Sequence, residues 1–191
     1  MTPPPLISDA RDLAQILLGE SPRRWRHTVG VARRAEDLIV TLDRGGAGGD
    51  ADVLIAAAWL HDIGYADPVR DTGFHPVDGA RHLDRLGWPA RIAALVAHHS
   101  DARSLARARG VPDLLAAYPH EESAVADALT YADQTVGPDG RRMGLTERLA
   151  DMLRRHGPDS PNAVAHPVRE PNLRAAADRV QRRLVVARSA G

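Results

Sequence analysis

Apolar residues recur at three- and four-residue spacing along almost the whole chain, and strand-like alternation is absent. That pattern leaves one architecture, helices packed on helices around a shared core. Glycine and proline cut the pattern into blocks. A short helix is predicted over 9–19, stopped by Gly19. Ser21-Pro22 opens a second, running to about Asp43. Gly45 to Gly49 is a loop, and Asp50 caps a strongly apolar helix, Val53 to Ile63, ended by Gly64. After a loop over 65–75, helices open at Pro76 and Pro89 and close near Leu86 and His99-Ser100. Two short helices follow, near 101–109 and 112–117. Glu121 to Thr135 is a further helix, and Gly137-Pro138-Asp139-Gly140 is a turn. Helices near 145–156 and 171–188 end the chain, joined by a proline-rich link at 157–171. The expectation is one all-α domain over 1–191, with a core at 20–150 and a C-terminal helical extension at 151–191.

Composition narrows the chemistry. Aromatic residues are 4% of the 191, so the core rests on Ala, Leu, Val and Ile. Cysteine is absent, which excludes thiolate metal sites, disulfides and cysteine nucleophiles. All 25 basic side chains are arginine, so no lysine can serve as a base or form a Schiff base. The formal net charge is zero, giving no general field toward nucleic acid or membrane. No signal-peptide pattern and no membrane-length apolar run are seen, and the expected location is cytoplasmic.

Nine histidines remain as the notable chemistry. His61-Asp62 ends the apolar helix in the phrase AAAWLHDIGY. Adjacent helical side chains diverge by about 100°, so both can reach one ion only at a helix end facing a cleft. Such a pair can equally be an imidazole set against the helix dipole beside an unrelated carboxylate. Other residues tip the balance. His27 lies in the first turns of its helix, His75 precedes Pro76, and His98-His99 close the next helix. Asp133 lies late in an apolar helix, where a lone carboxylate is costly. Imidazole and carboxylate donors of this kind suit Zn, Mn or Fe.

The ordered phrases RWRHTVGVARRA, LHDIGY, HPVDGARHL, LVAHHS and ALTYADQT resemble the HD-domain superfamily of metal-dependent phosphohydrolases, over roughly residues 20–150. The resemblance implies a metal held by His27, His61, Asp62 and Asp133. Asp62 would bridge to a second ion held by His75 and His98, with His99 as a further ligand. His61 and Asp62 would be the catalytic pair. His82, His120, His156 and His166 match no ligand position. The paired histidines are followed by Ser100, and no Gly-Tyr-Pro motif appears, so cyclic-di-GMP hydrolysis is disfavoured. Tyr65 stands where many relatives carry a lysine, which removes one phosphate anchor. Arg141 and Arg142 are the expected replacements, with Arg24, three residues before His27, as a third.

The implied activity is hydrolysis of a nucleotide or related phosphate ester by a metal-activated water, with one or two divalent transition-metal ions. The same ligands occur in di-iron relatives that cleave C–C or C–P bonds with oxygen. A non-catalytic nucleotide-binding protein is a third reading. The expected partner is a small phosphorylated molecule, with no nucleic acid and no membrane; the sequence leaves the oligomeric state open.

Overall fold

The computed structural model describes residues 5–42 and 49–189. Its helices are α1 (Pro5–Leu18), α2 (Pro22–Leu38), α3 (Asp50–Leu60), α4 (His75–Arg85), α5 (Ala90–His98), α6 (Ala102–Ala108), α7 (Ala124–Gln134), α8 (Leu145–His156) and α9 (Pro161–Ser189). Single 3-10 turns follow α2, α3 and α5, and another spans Pro112–Leu115. Among the described residues the sole β feature is an isolated bridge between Val136 and Arg142.

α3 is the centre. Every residue from Leu54 to Leu60 is buried, as expected of a helix that is apolar all round. α1, α2, α5 and α7 pack around it. Phe74, Ile63 and Leu83 join Leu54 and Leu60 in the same core. α4 crosses close to the 3-10 turn Ile63–Tyr65, and this approach requires Gly64. A β-carbon there would run into the carbonyl of His75 and the amide of Gly79. The glycine therefore lets the backbone after Asp62 lie against the N-terminus of α4, which brings His75 to Asp62.

The Gly45–Gly48 part of the expected loop lies outside the described residues. α2 stops earlier than the expected Asp43. The chain tightens to 3-10 after Leu38, and Leu42 is extended. The largest departure is at 157–171, where the expected link is part of α9. Pro161 sits in the first turn, and Pro167 and Pro171 lie inside the helix. All three are on the exposed side. The carbonyls that lose a donor, at 163 and 167, are one face apart by four residues and can turn to water. On the opposite side Ala165, Arg169, Leu173, Ala176, Ala177 and Val180 are buried, and α9 packs on α6 and α7. No helix of the described residues is long and apolar enough to cross a membrane.

Candidate metal centre

His61 follows α3 directly and is fully buried. Its Nδ1–H donates to Ala58 O at 2.8 Å. Its Nε2 is buried with no hydrogen-bond partner. His27, on α2, repeats the arrangement: Nδ1–H donates to Gly137 O at 3.1 Å, and Nε2 lies 3.0 Å from Asp133 Oδ1. His99 does so again, its Nδ1–H donating to Val96 O at 2.6 Å. Its Nε2 lies 3.3 Å from His75 Nε2. Each backbone carbonyl fixes the proton on Nδ1 and leaves Nε2 as a bare lone pair. Lone pairs aimed at one another and at carboxylates repel unless a cation lies between them.

These donors form two groups whose ligand atoms lie within 4.8 Å of one another: His27, His61 and Asp133, and Asp62, His75 and His99. Asp62 links them. Its Oδ2 is 3.6 Å from His61 Nε2 and 3.9 Å from His27 Nε2, while its Oδ1 is 3.5 Å from His75 Nε2. The donor set fits divalent metal ions, with Asp62 placed between two positions.

Electrostatics agree with that fit. Burial pushes both carboxyls up, yet their neighbours win. The Arg24 guanidinium, donating at 2.7 Å, holds Asp62 below the usual carboxylate range. Arg148 acts in the same direction on Asp133. Burial lowers His61 and lowers His75 strongly, which keeps both neutral and able to donate electrons. Asp133 is further held by Ser100 Oγ–H and by Gln134 Nε2–H, the latter at 2.9 Å.

The paired histidines part company here. Of the two expected ligands, His98 and His99, the structure brings His99 to the cluster and leaves His98 outside it. Ser100 and Asp101 adopt φ of 52° and 53°, a left-handed turn that non-glycine residues seldom take. His99 keeps a helical φ and follows the buried face of α5 through Ile92, Leu95 and Val96, and the turn ends the helix behind it. The turn also directs Ser100 Oγ to Asp133 and Ser100 O to Arg169 Nε, at 2.9 Å. His98 points elsewhere, its Nε2–H donating to Tyr118 O at 2.9 Å beside the ring of His120.

Arg141 and Arg142 are likewise corrected. Both are exposed and line a separate surface hollow with Arg23 and Arg26. Arg142 pairs with Asp37, and Arg141 Nε lies 3.3 Å from Asp139. The Gly137–Gly140 turn packs on α2 at Gly30, where a β-carbon would meet Gly140 O. That packing puts Gly137 O on His27 and directs the following arginines outward. Arg24 does reach the site, its Nη1 donating to Asp62 Oδ2 at 2.7 Å.

A cavity of about 440 Å³ opens above the two groups. Its wall carries Arg24, Arg109, Arg148, Arg155 and Arg169, whereas its only carboxylates among the described residues are Asp62 and Asp133. Four of those arginines come from α6, α8 and α9 or their ends and were not singled out by the sequence. One signal existed: Arg169 occupies a core position of α9, between Ala165 and Leu173, where an arginine needs a reason. Tyr65, in place of the expected lysine, is sandwiched between Arg24 and His75, at 3.7 Å and 3.9 Å from its ring centre.

Four imidazoles and two carboxylates that could hold metal ions thus meet in one cluster of an all-helical domain. The HD domain family model matches residues 24–182, and the chain belongs to that family. Neither the curated proteins nor the solved structures contain a match to it.

Proposed function

We propose that the protein is a metal-dependent phosphohydrolase acting on a small phosphate ester or anhydride. The observation that carries this reading is the arginine wall directly above the ligand cluster. A guanidinium matches phosphate oxygens in charge and geometry. Arg169 is the strongest instance: it is 8% exposed and, among the described residues, is bound only by Ser100 O and, at 3.4 Å, Asn162 Oδ1. A buried cation without a carboxylate calls for an anion in the cavity.

His27, His61 and Asp133 would hold one ion, and Asp62, His75 and His99 a second, with Mn, Fe or Zn suited to these donors. Such ions, when bound, lower the pKa of water and offset charge on a phosphoryl group. Arg24 and Arg148, whose Nη2 lies 3.9 Å from Asp133 Oδ1, flank the ligands and orient the phosphoryl oxygens. Ser100 and Gln134 keep Asp133 directed at its site. A water oxygen bonds to phosphorus as the bond from phosphorus to the leaving oxygen breaks. One water proton passes to that leaving oxygen, giving phosphate and an alcohol or a shorter phosphate.

The test is phosphate release by metal-free protein reconstituted in turn with Mn, Fe or Zn, under air and under argon. Equal release in both atmospheres is expected. Turnover that stops under argon supports instead an oxygen-dependent cleavage by a di-iron centre. Tight nucleotide binding with no turnover under any metal supports a non-catalytic protein.

A further inference from the structure

The cavity wall has two tiers. The inner tier, Arg24, Arg148 and Arg169, adjoins the ligand cluster: Arg24 touches Asp62, Arg148 nears Asp133, and Arg169 holds Ser100, itself bound to Asp133. The outer tier is Arg109 and Arg155, both exposed and both lining the same cavity. Arg155 already has a partner, Asp151, at 2.7 Å. Arg109 has none among the described residues; its guanidinium rests over the ring of Phe74. One phosphoryl group at the ligand cluster can use the inner tier. It leaves Arg109 without an anion, beside an Arg155 whose charge is shared with Asp151.

Base recognition lacks a platform here. Among the described residues Tyr65 is the only Phe, Tyr or Trp in the cavity wall, and both of its faces are taken, by Arg24 and by His75. A nucleobase gains most of its sequence-tolerant binding by stacking on a free aromatic face. Among the described residues no free Phe, Tyr or Trp face lines the cavity, and the one exposed ring there is the smaller imidazole of His156, while guanidinium groups are in excess.

We infer that the substrate is a compact polyanion without an aromatic base: a small molecule bearing at least two phosphoryl groups. One is cleaved at the ligand cluster, and the other is bound by Arg109 and Arg155 at the mouth. The inference rests on the phosphohydrolase reading and narrows it.

The experiment uses the full chain, with and without metal. Reconstituted protein is assayed for phosphate release from fructose 1,6-bisphosphate, inorganic pyrophosphate, para-nitrophenyl phosphate and AMP. In parallel, calorimetry of the metal-free protein compares binding of pyrophosphate, inorganic phosphate and AMP. The expected result is a higher kcat/KM for the two doubly phosphorylated probes than for AMP, and tighter binding of pyrophosphate than of phosphate or AMP. The Arg109→Ala/Arg155→Ala variant should lower the ratio of kcat/KM for fructose 1,6-bisphosphate over para-nitrophenyl phosphate by about tenfold, as expected for lost charge-assisted hydrogen bonds. The same variant should erase the preference for pyrophosphate in the binding experiment. AMP equal to or better than the bisphosphate overturns the inference, as does an unchanged ratio in the variant. Both of those outcomes leave the phosphohydrolase reading standing. No phosphate release from any probe with any metal defeats that reading itself; the binding preference and its loss in the variant then still decide the polyanion claim.

Discussion

The floor of the cavity and its wall are built on different logic. The floor, on α2, α3, α4, α5 and α7, is made of side chains locked by backbone carbonyls and by one another. Three imidazoles have their Nδ1 positions tied to carbonyls, and Asp133 is tied by Ser100 and Gln134. The wall, on the start of α2 and on the ends of α6, α8 and α9, is made of long side chains with spare donors. A locked floor suits ions that tolerate little misplacement, and a looser wall suits a substrate that must enter and leave. Substitutions in the floor should therefore remove metal, and those in the wall should weaken substrate binding with the metal retained.

The widest separation is expected at Asp62. Asp62→Ala removes the carboxylate shared by both groups, so metal content should fall and turnover should drop by about a thousandfold or more, the scale of several kcal/mol of lost electrostatic stabilisation. Elemental analysis beside an activity assay checks this. Full metal content in that variant breaks the division between floor and wall.

The histidine pair gives the next largest effect. His99→Ala should lose the ion of the second group and most of the activity, whereas His98→Ala should keep both, because His98 faces Tyr118. Metal stoichiometry of the two variants, measured side by side, decides between them. A loss in His98→Ala matching that in His99→Ala would mean the buried face of α5 does not set which ring is used.

In the wall, Arg169→Ala should raise KM by about 10- to 100-fold, the worth of a hydrogen bond to a charged group. Its metal content should stay near that of the parent. Arg141→Ala, on the outer hollow, should leave KM alone. Because Arg169 also holds Ser100, Arg148→Ala serves as a second probe, with melting temperature recorded for both. Metal loss in both variants would show that the wall is part of the floor.

The smallest effect concerns acid. Burial holds His61 and His75 below their ordinary value of 6.5. They stay neutral in the fold while the same groups in the unfolded chain take up protons. Stability of the metal-free protein is therefore complete above about pH 6.5 and declines as pH falls below it. Asp62 and Asp133 have lowered values, so the stability they contribute is present above the ordinary 3.8 and is lost as pH falls through their lower folded values. Both effects push the same way. Melting temperature should fall from pH 7.5 to 5.5 and again below 4, and added Mn or Zn should oppose the first fall less as imidazoles protonate. A melting temperature that is flat between 7.5 and 5.5 would contradict the burial of these two rings.

Much of the floor was readable because its determinants are local. Helix ends fall where Gly, Pro and Ser lie, and the phrases around His27, His61-Asp62, His75 and Asp133 carry the family's order in the chain. The all-helical class follows from periodicity alone. The error over the proline-rich link had a local cause too. Proline is a strong stop signal, but Pro167 and Pro171 lie four apart on the exposed face, where lost backbone bonds can be replaced by water.

The amino-acid sequence by itself determined the fold class, the kinds of ligand and the absence of thiol and lysine chemistry. Tertiary structure alone decided that Ser100 turns onto Asp133 and which arginines face the cavity. The physical reason is the same in both cases. Helical spacing assigns a direction only while the helix continues. The left-handed turn at Ser100 and Asp101 resets that direction for Ser100, whose Oγ reaches Asp133, and the Gly137–Gly140 turn on α2 resets it for Arg141 and Arg142. Arg169 reaches the site because α9, 36 residues beyond Asp133 at that point, packs back across α6 and α7. Nothing in the local pattern of either helix encodes that crossing.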